Sequence, residues 1–83
     1  MTLDDLMQAE KRTVGVKQTE KAVNKGVALK VFVAKDADER VTEKLVELCE
    51  EKAVSVVMVE TMHELGKVCG IHVKAAAAAI LNH

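Results

Sequence analysis

Two short apolar runs, Leu29-Lys30-Val31-Phe32-Val33-Ala34 and Val54-Ser55-Val56-Val57-Met58-Val59, stand out from the surrounding polar sequence. Their length and β-branched content predict strands buried on both faces. Between them, residues 41–52 place Val41, Leu45, Leu48 and Cys49 at i, i+4, i+7 and i+8, the spacing of an amphipathic helix. Glu43, Glu47, Glu50 and Glu51 occupy its remaining surface. Asp36-Ala37-Asp38-Glu39 makes the preceding turn and puts negative charge where the helix dipole favours it. Strand, helix, strand at this separation predicts a right-handed βαβ unit with parallel strands, and hence a three-layer α/β sandwich.

The flanks follow the same logic. Thr2 can cap a helix through residue 10, with Leu3, Leu6 and Met7 turned inward. Thr13-Val14 is a short β-branched approach to Gly15, and residues 13–16 are expected as a short strand. From Val16, small or apolar residues at Val16, Thr19, Ala22 and Val23 predict a helix to residue 25, ended by Gly26. Its first turn holds Lys17 and Gln18, with Lys21 one turn along the same face as Lys17. Free N–H groups at a helix start, two lysines and an amide suit phosphates and base edges; a solvated helix face fits the same spacing. Thr61-Met62-His63-Glu64 reads as a capping box, with Met62, Leu65 and Cys69 inward until Gly70. Ala75-Ala76-Ala77-Ala78-Ala79-Ile80-Leu81 has strong helix propensity but no polar face. A C-terminal helix and a central strand squeezed between helices both fit it.

Composition narrows the class. The 83 residues contain no Pro, Trp or Tyr and one Phe, so an aliphatic core within one domain, residues 1–83, is expected. No basic leader or 18-residue apolar run is present, and Cys49 and Cys69 fall on inward helix positions. A cytoplasmic protein with buried thiols is expected, with neither a signal peptide nor a membrane partner. Net charge is −1, distributed unevenly: residues 1–35 carry +3, 36–64 carry −6, and 65–83 carry +2. A positive and a negative face follow if the two ends meet. Cys69-Gly70-Ile71-His72 is half a zinc site without a second pair, and Gly66-Lys67-Val68-Cys69-Gly70 lacks the P-loop pattern. His63 and His83 read as surface residues. With no Ser/His/Asp or Cys/His constellation, an enzyme is not expected, and no cofactor or metal is implied.

Four segments together resemble one family: Gly15-Val16-Lys17-Gln18-Thr19-Glu20-Lys21, Val33-Ala34-Lys35-Asp36-Ala37-Asp38, Leu48-Cys49-Glu50-Glu51-Lys52, and Leu65-Gly66-Lys67-Val68-Cys69-Gly70-Ile71-His72-Val73. Their order and spacing are similar to the kink-turn-binding ribosomal-protein family, and to its short bacterial members in particular. The resemblance implies an α-β-α sandwich with a small mixed sheet, in which the alanine run is a strand. It implies that the chain holds an RNA kink-turn through tandem sheared G·A pairs. Longer members carry Asn-Glu-x-x-Lys at the loop motif; here those positions are Lys17, Gln18 and Lys21. Gln18 can still accept from a guanine edge, without a carboxylate's charge-assisted strength, and Lys17 can reach a guanine or a phosphate. The family's apolar loop corresponds to Gly70-Ile71-His72-Val73-Lys74, with Ile71 and Val73 against an extruded nucleotide. Core packing is the other use for those two.

Asp38 corresponds to an acidic residue near that nucleotide and also suits a helix N-cap. The family's Pro after it is Glu39 here. The implied RNA-binding set is Gly15, Lys17, Gln18, Lys21, Asp38, Lys67, Ile71, His72, Val73 and Lys74. The expected partner is structured RNA containing a kink-turn, bound by a monomer, with no DNA partner. The competing expectation is a protein-interaction module of the same fold that has lost RNA affinity, using the acidic helix at Glu43–Glu51 as its contact face.

Overall fold

The computed structural model describes residues 11–71 and 73–81. The expected helix over residues 2–10, and the positions of His72 and His83, lie outside the described residues. In chain order the elements are β1 (Arg12–Val14), α1 (Val16–Asn24), β2 (Ala28–Ala34), α2 (Glu39–Glu51), β3 (Ser55–Val59), α3 (Met62–Val68) and β4 (Ala77–Leu81). The strands form one mixed sheet in the order β1-β4-β2-β3. β2 and β3 are parallel, as the strand–helix–strand spacing predicts, while β4 is antiparallel to both β1 and β2.

Period-two alternation along β2 and β4 divides the core in two. Val31, Val33, Ala77 and Ala79 point to one face, where they meet Val23 of α1 and Leu45 and Cys49 of α2. Phe32 and Ala78 point to the other, beneath Leu65 of α3 and Cys69 just beyond it. The result is a three-layer α/β sandwich, α1 and α2 on one side and α3 on the other.

The alanine run is a strand, in agreement with the family resemblance and against helix propensity. Its position explains why. β4 is hydrogen-bonded on both sides, and Ala77, Ala78 and Ala79 are fully buried between helical layers, where only a methyl group fits. Tertiary packing overrides an intrinsic preference that amounts to fractions of a kcal/mol per residue.

Three expectations from hydrophobic pattern fail. Leu29, expected within a strand buried on both faces, is 54% exposed near the start of β2, where only Val31, Phe32, Val33 and Ala34 are buried. Residues 54–59 do not form a strand buried on both faces: β3 is the sheet edge, Ser55 is exposed and Met58 is 48% exposed. An apolar run cannot by itself distinguish an edge from a centre. In α2, Val41 is 47% exposed and Thr42 is buried in its place. Inward residues are Thr42, Leu45 and Cys49, so the buried stripe starts one residue later than the valine suggested. The remaining boundaries agree to within two residues, and Thr61 Oγ1 accepts from Glu64 N at 3.0 Å at the start of α3.

Replacing Ala77 with Leu should destabilise the protein by about 1–3 kcal/mol, because the added atoms overpack a buried central strand. Denaturant unfolding measures this; a variant as stable as the parent would contradict the strand's central placement.

Candidate nucleic-acid interface

The register brings four chain segments to one end of the sheet. Val14 pairs with Ala78, Val33 with Ala77, and Ala34 with Val59. The ends of β1, β2 and β3 and the start of β4 are therefore neighbours. Backbone bonds close this end: Gly15 N donates to Ala77 O at 2.7 Å, Ala34 N to Ala76 O at 2.9 Å, and Lys35 N to Val59 O at 2.7 Å. The three helices among the described residues start here, each following its strand within a few residues.

Gly15 turns the chain from β1 into α1 with φ +102°, a conformation that side chains with a Cβ rarely adopt. A Cβ there would meet open space, so backbone geometry selects the glycine. Thr19, buried in the next turn, hydrogen-bonds Thr13 across a 3.0 Å Oγ1–Oγ1 contact and fixes the helix to β1. Lys17, Gln18 and Lys21 are consequently directed to solvent.

The three helix starts differ in how their N–H groups are satisfied. Asp38 Oδ1 accepts from Arg40 N at 2.9 Å on α2. On α3, Thr61 bonds Glu64 N, and Asp36 Oδ1 accepts from Met62 N at 2.7 Å. α1 has glycine at its N-cap, no side-chain cap and no acid in its first turn. Its outward N–H groups, beside Lys17, suit an external anion or carbonyl acceptor.

Asp38 is the α2 N-cap, and both its oxygens also engage the Arg40 side chain, at 3.3 Å to Nε and 3.0 Å to Nη2. The Arg40 side chain, followed by its backbone N–H, holds the Asp38 carboxyl below its usual range.

Along α3 and the segment that follows it, His63, Lys67, Gly70, Ile71 and Val73 line an open hollow of about 430 Å³. Val73 is 69% exposed, an apolar side chain displayed to solvent. Ile71 is half-buried, packing on the α3-side core while also lining the hollow. Lys74 is exposed but does not line the hollow. The structure thus groups Gly15, Lys17, Gln18 and Lys21 on the β1–α1 side, and Lys67, Ile71 and Val73 around the hollow.

Three residues with a part in this geometry, His63 (read as a surface residue), Gly66 and Arg12, are given no site role by the sequence. His63 is on the wall of the hollow, one helical turn before Lys67, an i, i+4 relation that was legible. Gly66 lies under the loop: a Cβ would collide with the Val73 carbonyl oxygen and come within 3.5 Å of Ala75 N. Arg12 Nη2 donates to Cys69 O at 3.0 Å, joining β1 to the end of α3. No local motif announces the last two, because each depends on a distant segment of backbone. Burial pushes the Cys49 and Cys69 thiols above their ordinary value, with the Arg12 charge partly offsetting it at Cys69. Neither thiol suits a nucleophile. No helix among the described residues is long and apolar enough to cross a membrane.

Comparison with known proteins gives this geometry a family. The model of the ribosomal protein L7Ae/L30e/S12e/Gadd45 family matches residues 1–83. The chain belongs to this family. It is 54% identical over 69 residues to an RNA-binding protein of Caldanaerobacter subterraneus subsp. tengcongensis, covering 83% of this chain and 84% of the relative. It is 46% identical over 68 residues to the large ribosomal subunit protein eL8 of Halobacterium salinarum, covering 81% of this chain and 57% of that protein. Among solved structures, the Giardia lamblia 15.5kD RNA binding protein superposes with a TM-score of 0.83 at 33% identity. That match covers 94% of this chain and 64% of the Giardia chain.

In a free helix, Gly66→Ala would add about 0.8–1.0 kcal/mol of stability through helix propensity. Here the methyl group meets backbone that cannot rotate away. The variant should instead be destabilised by about 1–3 kcal/mol. Thermal unfolding reads the sign directly, and a stabilised variant would show that the loop does not rest on α3.

Proposed function

We propose that this chain is an RNA-binding protein that recognises and holds a kink-turn, acting as a monomer. The observation that carries the reading is that one surface feature, the uncapped α1 start at the end of the sheet, comes with a second, an apolar-edged hollow along α3 and the segment after it. A kink-turn presents two corresponding features, sheared G·A base edges and a nucleotide turned out of the stack. The relatives named as RNA-binding proteins and as a ribosomal subunit protein support the same assignment.

In this reading Gln18 accepts from a guanine N–H through its amide oxygen. Lys17 contacts a guanine acceptor or a phosphate, and the α1 N–H groups and Lys21 hold the backbone. The extruded base lies against Ile71 and Val73, with Lys67 and Lys74 at neighbouring phosphates; His72 belongs to this set by resemblance. Asp38 reaches the nucleotide only by sharing its Arg40-bound carboxylate. Because Gln18 is neutral, base discrimination is weaker than a carboxylate would give, and shape carries more of the selectivity. The protein binds the kinked form alone and draws the RNA population towards it.

A titration of kink-turn RNA and an unkinked duplex of equal length tests this. The duplex should bind at least tenfold more weakly. With about four lysine–phosphate contacts, log affinity should fall against log salt with a slope of roughly −3 to −4. Gln18→Ala should cost about 1–3 kcal/mol of kink-turn affinity, with an unchanged unfolding midpoint because the residue is exposed. Equal binding of the duplex, or a slope near −8, would identify a backbone-driven binder instead.

A further inference from the structure

The two parts of the proposed interface belong to segments far apart in sequence, and one side chain joins them. Arg12 opens β1, the strand that leads into Gly15 and the α1 start. Its guanidinium Nη2 donates to Cys69 O at 3.0 Å, across 57 residues of chain and in a part-buried setting. The same nitrogen passes 3.7 Å from the position a Gly70 Cβ would occupy. Cys69 is the C-cap of α3, so its carbonyl is one of the last acceptors of the helix, at the negative end of the dipole. A partly buried guanidinium meeting that acceptor makes a charge-assisted bond that water competes with poorly.

The remaining attachments of the loop go elsewhere. Ile71 N donates to Gly66 O at 3.1 Å and Ala75 N to Met62 O at 3.1 Å, both back onto α3. Val73 rests on Gly66. These bonds fix the middle of the loop to its own helix, and Ala34 N to Ala76 O and Gly15 N to Ala77 O fix its far end beside β2 and β1, which leaves the Gly70 end to other contacts. Arg12 supplies such a contact at Gly70, where the loop leaves the helix.

We propose that Arg12 is a positioning residue that locks the Gly70–Ile71 end of the loop to β1, so that RNA meets the α1 start and the hollow as one preorganised surface. Its effect on RNA affinity rests on the kink-turn reading; its effect on the free protein does not. Preorganisation raises affinity by removing the ordering cost from the binding step. Arg12 acts through the Cys69 carbonyl, so its charge adds no phosphate contact.

The test uses Arg12→Met, which keeps an unbranched stem and removes the donor, and Arg12→Lys, which keeps charge and donor. In the free protein, Arg12→Met should speed amide exchange at Gly70 and Ile71 by about tenfold or more, while Gly15 and Thr19 exchange as in the parent. Arg12→Lys should recover most of that protection. On RNA, Arg12→Met should bind a kink-turn about tenfold more weakly when the extruded nucleotide carries its base. It should bind as the parent does when that nucleotide is abasic, with the same salt slope. Unchanged exchange at Gly70 and Ile71 would overturn the proposal. So would an equal loss on abasic RNA with a shallower salt slope, which marks a direct phosphate contact. Uniformly faster exchange that includes Val31 and Phe32 would also overturn it, making Arg12 a residue of global stability. If the parent binds no kink-turn, the proposed function fails, and the exchange data still decide the role of Arg12.

Discussion

The hydrogen-bonded placement of β4 between β1 and β2 is the constraint on which the rest depends. Gly15, the last point before the α1 start, is fixed through its N–H to Ala77 O, and the end of β2 through Ala34 N to Ala76 O. Without that central strand, β1 has no partner in the sheet, and the loop before β4 has no reason to return to the same end. The alanine side chains make the placement feasible. Ala77 and Ala79 allow α1 and α2 to approach one face while Ala78 sits beneath the α3 layer. A strand of methyl groups contributes little area of its own; its value lies in backbone pairing and in letting the larger residues Phe32, Leu45 and Leu65 be fully buried around it.

From that scaffold, the site's electrostatics follow without a basic protein. Net charge is −1, and α2 displays Glu43, Glu47, Glu50 and Glu51. Yet α2 starts at the interface end and runs away from it. At 1.5 Å per residue, Glu47 is about 12 Å and Glu51 about 18 Å along the axis from Glu39. Both distances exceed the Debye length of about 8 Å at physiological ionic strength, so the charges of Glu47 and Glu51 are largely screened from the start of α2. Of the acids at that end, Asp36 and Asp38 are engaged in capping α3 and α2, and Glu60 pairs with Lys35 at 2.9 Å. Local arrangement, rather than net charge, leaves the α1 start available to an anion.

Much of this was legible in the sequence, and the limits have physical causes. The helix periodicities of α1 and α2, the capping threonine of α3 and the parallel β2–α2–β3 unit are local or nearly local, and the chain announces them. The alanine run was ambiguous because propensity and burial point in opposite directions, and only the family resemblance favoured the strand. β3 was read as central because an apolar run does not say how many neighbours it has. The site divides in the same way. Gly15, Lys17, Gln18 and Lys21 lie within a single turn-and-helix motif and were readable. Gly66 and Arg12 act on backbone 7 to 57 residues away, which only the folded arrangement discloses.

The central claim is that this surface fits a bent RNA rather than charged backbone in general. A kink-turn RNA labelled at both ends, studied by energy transfer without magnesium, tests it most directly. A free kink-turn is mostly extended under those conditions. Added protein should raise the transfer efficiency in a saturable titration, while a labelled duplex of equal length shows no change. Saturable binding of the kink-turn RNA with its end-to-end distance unaltered would contradict the account.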